Sequence, residues 1–183
     1  MRLVVVALGS ALAASGCGYN RIQTLDEQVN GFKAQIEVAL QRRADLVPNL
    51  VNTVKGFASQ ELEIFDRVTD ARAQLGGAIQ SGDLAQMAAA NQTLTGALGR
   101  LIALAEDNPE IQSNENFRML QDQLEGTENR ISTARQDYNN AVREYNAYIR
   151  RFPQVLTAKA ISAKPREYFE AEEAAQEVPK VEF

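Results

Sequence analysis

The sequence predicts an all-α protein, an elongated up-down antiparallel bundle of three long helices plus a short C-terminal helix. Three observations predict it. Apolar residues recur at spacings of three and four over most of the chain, the period of a helix that buries one face. Gln, Ala, Glu, Leu and Arg, good helix formers, recur throughout, while Pro numbers only five. The connections between periodic stretches are short, which sets consecutive helices antiparallel. The 183 residues suffice for one domain with a core.

The chain opens with a targeting segment, residues 1–17. Arg2 is a minimal basic start, and Leu3 to Ala14 is an apolar run of the length of a signal h-region, shorter than the ~20 residues of a membrane-spanning helix. Ala14-Ser15-Gly16-Cys17 follows and resembles the lipobox of bacterial lipoproteins, although Ala14 stands where Leu is commonest. That resemblance implies lipidation of Cys17 and cleavage before it. The alternative is an ordinary signal peptide and a free thiol. As the single Cys of the chain, Cys17 has no partner for an internal disulfide, and several acyl chains on one residue anchor stably where one is marginal. Gly18 in place of Asp fits sorting to an outer membrane, were the host Gram-negative.

The bundle domain is expected over residues 18–165. Asn20 and Gln23 fit a capping box. Ile22, Leu25, Val29, Phe32, Ile36 and Ala39 form a first seam, with Arg43 at its next position. A second seam, one residue out of step, runs Val47, Val51, Val54, Ala58, Leu62, Phe65, Val68, Arg72 and Leu75. Pro48 removes the hydrogen bond to the Ala44 carbonyl, so the offset predicts one helix over 21–76 kinked at 44–48. Two helices meeting at Pro48 are the alternative. Gly76-Gly77 and Ser81-Gly82 mark the following turn.

Asp83 and Gln86 fit another capping box. Leu84, Met87, Asn91, Leu94, Leu98, Leu101 and Ala105 make a third seam, ending near Glu106 because Pro109 disfavours helix at Asn108. Ser113 or Asn114 caps the central helix. Its seam is the longest of all: Phe117, Leu120, Leu124, Thr127, Ile131, Ala134, Tyr138, Ala141, Tyr145, Tyr148 and Phe152. That is roughly 54 Å of helix, too long to be stable without partners. Pro153 stops it and can open a short further helix. Residues 166–183, with six Glu from Glu167 to Glu182, read as an exposed, partly disordered acidic tail. A docking peptide at its end is the alternative.

The chemistry open to this chain is narrow. It contains no His, so Ser-His, Cys-His and His-based metal sites are excluded. A net charge of −5 gives no reason to expect nucleic acid as a partner. No Gly-rich phosphate loop is present. Carboxylate pairs remain, Glu61 with Glu63 and Asp66, or Glu125 with Glu128, and a solvated charged face explains them best. No cofactor, metal or catalytic residue is expected. The residues singled out are polar ones on or beside the seams: Arg43, Asp45, Asn49, Glu128, Arg135, Asn139 and Asn146. They form either a buried structural network or a partner surface. Arg43 is expected to be at least half buried and paired with a carboxylate, Glu128 first. Asn49 and Asn52 are the local donors expected near the Ala44 carbonyl. Asn139 and Asn146 either fix helix registry or line a groove.

Many dispersed residues in order resemble the LemA family. They include Arg42-Arg43-Ala44-Asp45-Leu46-Val47-Pro48-Asn49-Leu50-Val51, Asn114-Glu115-Asn116-Phe117, Thr127-Glu128-Asn129-Arg130-Ile131, Tyr138-Asn139, Tyr145-Asn146, Phe152-Pro153 and Tyr168-Phe169-Glu170. The resemblance implies an elongated helical bundle anchored to the membrane outside the cytoplasm, without a defined enzymatic activity. It also implies partners among envelope proteins of proteolysis and quality control. Gln60 stands where members commonly carry His, and Asn108 where they carry an aromatic residue. The lipobox would replace the family's usual transmembrane anchor. The resulting expectation is a non-enzymatic, membrane-anchored scaffold or adaptor of the bacterial envelope, extracytoplasmic, on the periplasmic face. The alternative is a bundle that binds a small or lipidic ligand between its helices.

Overall fold

A computed structural model describes the backbone of residues 2–58 and 60–169, and side chains from Gly18 onward. Among the described residues the protein is all-α, a helical bundle of six helices and no strands: α1 (Arg2–Lys55), α2 (Leu62–Ser81), α3 (Leu84–Glu106), α4 (Pro109–Gln112), α5 (Glu115–Arg150) and α6 (Gln154–Ala160). The chain divides into two compact units. Among the described residues, one comprises 2–35 and 134–168, the other 36–133 and Phe169.

The expected helix over 21–76 is two helices, α1 and α2. Neither sequence-based alternative holds, because α1 passes through Pro48 and ends at Lys55. The offset between the two seams needs no kink to explain it. Ile36, Leu40, Arg43, Val47, Leu50 and Val54 are all buried, one stripe at alternating spacings of four and three that crosses Pro48 unbroken. This stripe takes Ile36 and Arg43 from the first seam and Val47 and Val54 from the second, with Leu40 and Leu50 between them. The helix stops instead at Gly56, a poor helix former, where the ladder tightens as the Phe57 N–H donates to the Val54 carbonyl at 3.0 Å.

The later elements follow local chemistry closely. Gly76-Gly77 lies inside α2 rather than in a turn, and the helix ends at Gly82, whose φ of 68° needs a residue without Cβ. Asp83 accepts from the Gln86 N–H at 3.0 Å, and the Gln86 amide returns a bond to Asp83 at 3.1 Å. α3 runs to Glu106 as its seam predicts and packs on α2. Asn108 caps the short α4 by accepting from the Glu110 N–H, and Asn114 caps α5 by accepting from the Phe117 N–H at 3.1 Å. Met87, Leu94, Leu101, Ile111, Phe117 and Ile131 are among the fully buried side chains of this core.

The first unit contains the remaining parts of α1 and α5, together with α6 and the segment after it. α1 is already helical at Arg2, so Asn20 is an interior residue and not an N-cap. The central seam shifts here. Tyr138 and Tyr145 are buried, but the stripe then passes through Val142, Asn146 and Ile149 rather than Ala141, Tyr148 and Phe152. Phe152, expected in the core, is 80% exposed. α6 ends as Ser162 turns left-handed at φ 56° and the Ala163 N–H donates to the Ala158 carbonyl at 2.9 Å.

Candidate functional site

Two polar clusters stand out, one in each unit. The cluster of the second unit is centred on Arg43. Its side chain points into the core stripe, where the residue is 5% exposed. It donates to the Glu128 carboxylate on α5 and, at 2.8 Å, to the Asn91 side-chain oxygen on α3. Asn91 and Thr127 are buried beside it, and the Thr127 hydroxyl donates back to the Leu124 carbonyl. Burial holds the Arg43 guanidinium below its ordinary range, and the Glu128 charge and hydrogen bond partly offset this. Its Nε is buried with no hydrogen-bond partner.

The same cluster contains a bond the sequence reading did not anticipate. Arg72 Nε on α2 donates to the Ala44 carbonyl at 2.8 Å. Ala44 is the residue whose carbonyl Pro48 deprives of a helical donor. Asn49 and Asn52, the donors expected there, are exposed. Ala44 lies eleven residues before the end of α1 and Arg72 ten after the start of α2, so the antiparallel hairpin brings them level. One signal was present in the sequence: Arg72 interrupts an apolar seam, as Arg43 does.

The cluster of the first unit is centred on Arg166. The Asn146 side chain, buried on α5, binds the main chain of Arg166 at both ends, accepting from its N–H and donating to its carbonyl, each at 2.8 Å. The Arg166 guanidinium makes a two-pronged pair with Asp26 on α1, both bonds 2.9 Å, and reaches Asn30 at 3.2 Å. The Tyr138 hydroxyl donates to the Glu167 carbonyl at 2.9 Å. Burial raises the Tyr138 and Tyr145 hydroxyls above their ordinary range. Asn146 holds the segment that follows α6. Residues 166–168 are bound rather than a free tail, Phe169 is buried, and the tail beyond it, with the docking peptide considered there, lies outside the described residues. No periodicity past Pro165 marks Arg166, and nothing in the sequence would have found it.

The remaining candidates are dispersed. Asp45 is exposed and accepts from Gln41 one turn earlier at 2.8 Å. Arg135 and Asn139 are half-buried on α5 in the first unit. The side chain of Cys17 lies outside the described residues. Glu63 pairs with Arg67 on its own helix. Among the described residues no group of three acidic or Cys side chains is placed to hold a metal ion, and no helix is long and apolar enough to cross a membrane. An open groove of about 460 Å³ runs between α2 and α3, lined by Arg67, Asp70, Gln74, Thr93 and Arg100.

Comparison with known proteins gives a consistent picture. The LemA family model matches residues 33–183. Two magnetosome proteins of Paramagnetospirillum magneticum, MamQ 1 and MamQ 2, are each 30% identical to the chain, over 95% of its length and 72% of theirs. Magnetosome protein MamQ of Magnetospirillum gryphiswaldense is 30% identical over 82% of the chain and 64% of its own length.

Proposed function

The chain belongs to the LemA family, and from that premise we propose that it is a non-enzymatic helical scaffold or adaptor of the bacterial envelope, tethered to the membrane by lipid on Cys17. The observation that carries this reading is where the polar side chains go. The buried polar side chains, Arg43, Asn91, Thr127 and Asn146, are engaged in contacts inside the protein. None converges with a second reactive group on an open cleft, the arrangement that nucleophilic or acid–base chemistry needs. A bundle whose buried polar side chains are committed internally suits holding or presenting other proteins. The expected partners are envelope proteins, including those of proteolysis and quality control. The magnetosome designation of its relatives agrees with a membrane-associated setting.

The domain plan on this reading is a signal segment to Cys17, a bundle from residue 18, and an acidic C-terminal end. The chain lies outside the cytoplasm, on the periplasmic face, with the outer membrane as its site in a Gram-negative host. The test is Cys17→Ser in cells. The helical content stays unchanged and the protein leaves the membrane fraction. A full-length mutant chain that remains with the membrane would sink the tether. The groove between α2 and α3 favours a second reading, a small-ligand site. Its lining mixes apolar Ile64, Ala71 and Ala97 with charged Arg67, Asp70 and Arg100.

A further inference from the structure

We propose that the α6 end of the first unit lies flat on an anionic lipid surface, with Phe152 and Leu156 in the headgroup layer and the basic side chains around them on the lipid phosphates. This deepens the tether reading and rests on it. Three observations lead there. The first is position. α6 packs directly over Gly18: a Cβ built on that glycine would meet Thr157 Oγ1 at 3.5 Å and Gln154 Cγ at 3.9 Å. Gly18 follows Cys17 immediately, and one residue of helix rises only ~1.5 Å. Acyl chains on Cys17 would bring whatever covers Gly18 down to the headgroups.

The second observation is apolar exposure at this place. Phe152 is 80% exposed, Leu156 60% and Tyr19 45%. An aromatic ring with aliphatic neighbours is the composition that settles at a membrane interface.

The third is charge. The chain as a whole is acidic, at −5. Yet residues 145–166 contain no Asp or Glu, and none precedes Asp26. Arg150, Arg151, Lys159 and Lys164 are exposed. Arg166, the remaining cation of that stretch, is taken up by Asp26. A local excess of positive charge beside a lipid anchor is attracted to anionic headgroups within about a Debye length. A protein partner of acidic character would see the same charges. It would not explain why they gather where the acyl chains emerge.

The test uses the full chain purified from membranes, and has two arms that fail separately. The intact mass of the chain reports the tether: acyl mass on Cys17 supports it, and an unmodified Cys17 removes it. The second arm places an environment-sensitive dye on Phe152→Cys, Leu156→Cys and, as control, the exposed Val38→Cys on α1 in the other unit. Cys17→Ser is added if that residue proves free. Circular dichroism confirms that each labelled chain is folded. Vesicles of phosphatidylcholine, with or without phosphatidylglycerol, are then supplied. The expected result is a blue shift at 152 and 156, with quenching by a lipid-borne quencher. Both are strongest with phosphatidylglycerol and reduced by salt and by Arg150→Glu with Arg151→Glu. Val38→Cys stays unshifted. Dyes at 152 and 156 that remain water-like on anionic vesicles overturn the proposal, whatever the mass shows. A shift that rises with protein concentration in the absence of lipid overturns it too, and assigns the patch to contact between copies.

Discussion

Arg72 Nε donates to the Ala44 carbonyl at 2.8 Å and so takes the place of the N–H that Pro48 lacks. Ala44 is buried, so water cannot serve that carbonyl cheaply. A buried acceptor left unpaired costs about 1–3 kcal/mol. A proline inside a long helix is thus offset by a side chain from the neighbouring helix.

The pairing predicts a coupling. Arg72→Ala alone should lose about 1–3 kcal/mol. In a Pro48→Ala background the new N–H reaches Ala44 within the helix, and the same change should lose markedly less. Urea titrations of the four variants measure the difference. Equal losses in both backgrounds would mean that Arg72 stabilises through packing alone.

Arg43 and Glu128 predict an asymmetry. Removing Glu128 leaves a guanidinium in the core that is almost without solvent. Glu128→Ala should lose about 3 kcal/mol, the lower end for an uncompensated buried charge. The lower end applies because the Glu128 side chain is itself 47% exposed. Arg43→Met together with Asn91→Leu removes the charge, the orphaned Nε and the amide that needs it. That pair of changes should fall within about 1 kcal/mol of the parent. A denaturant midpoint lower for the double variant than for Glu128→Ala would contradict this account.

Asn146 predicts how the segment after α6 is held. Asn146→Ala removes two bonds to the Arg166 main chain, about 0.5–1.5 kcal/mol each. The change should free residues 163–168 before it unfolds the helices. Hydrogen exchange at the Arg166 amide reads this directly, being slow in the parent and fast in the variant. Trypsin cleavage after Arg166 should accelerate in parallel, since Pro165 blocks the bond after Lys164. An amide that stays protected in Asn146→Ala would assign the hold to the Asp26 pair instead.

The tyrosines predict alkaline loss of stability. Burial raises Tyr138 and Tyr145 above their ordinary value of 10.0, so the folded state binds these protons more tightly than the unfolded one. Their contribution is complete below that value and is lost as pH rises through the higher folded values. Tyrosinate absorbance should show a late fraction that coincides with loss of helix. Tyr138→Phe should diminish the fraction, at the expense of the bond to the Glu167 carbonyl.

The sequence by itself determined the helical state, most of the buried face and several ends. Asp83 and Asn114 cap their helices through residues three positions on, and the buried stripe of α3 from Met87 to Ala105 is set by period alone. Such features are local: propensity, capping and periodicity act within a turn or two, and leave their mark in neighbouring residues. Tertiary structure decided the rest. Pro48 was expected to bend or end α1, because the lost hydrogen bond is visible locally. The donor that replaces it, Arg72, is twenty-eight residues away. Phe152 fits the central seam by spacing, yet α5 ends at Arg150 and leaves it in the turn beyond, exposed. Arg166 lies 140 residues from Asp26, and no pattern in either segment points to the other. Those bonds exist only once folding has brought distant segments together, and their free energy then decides which local preferences are kept and which are overruled.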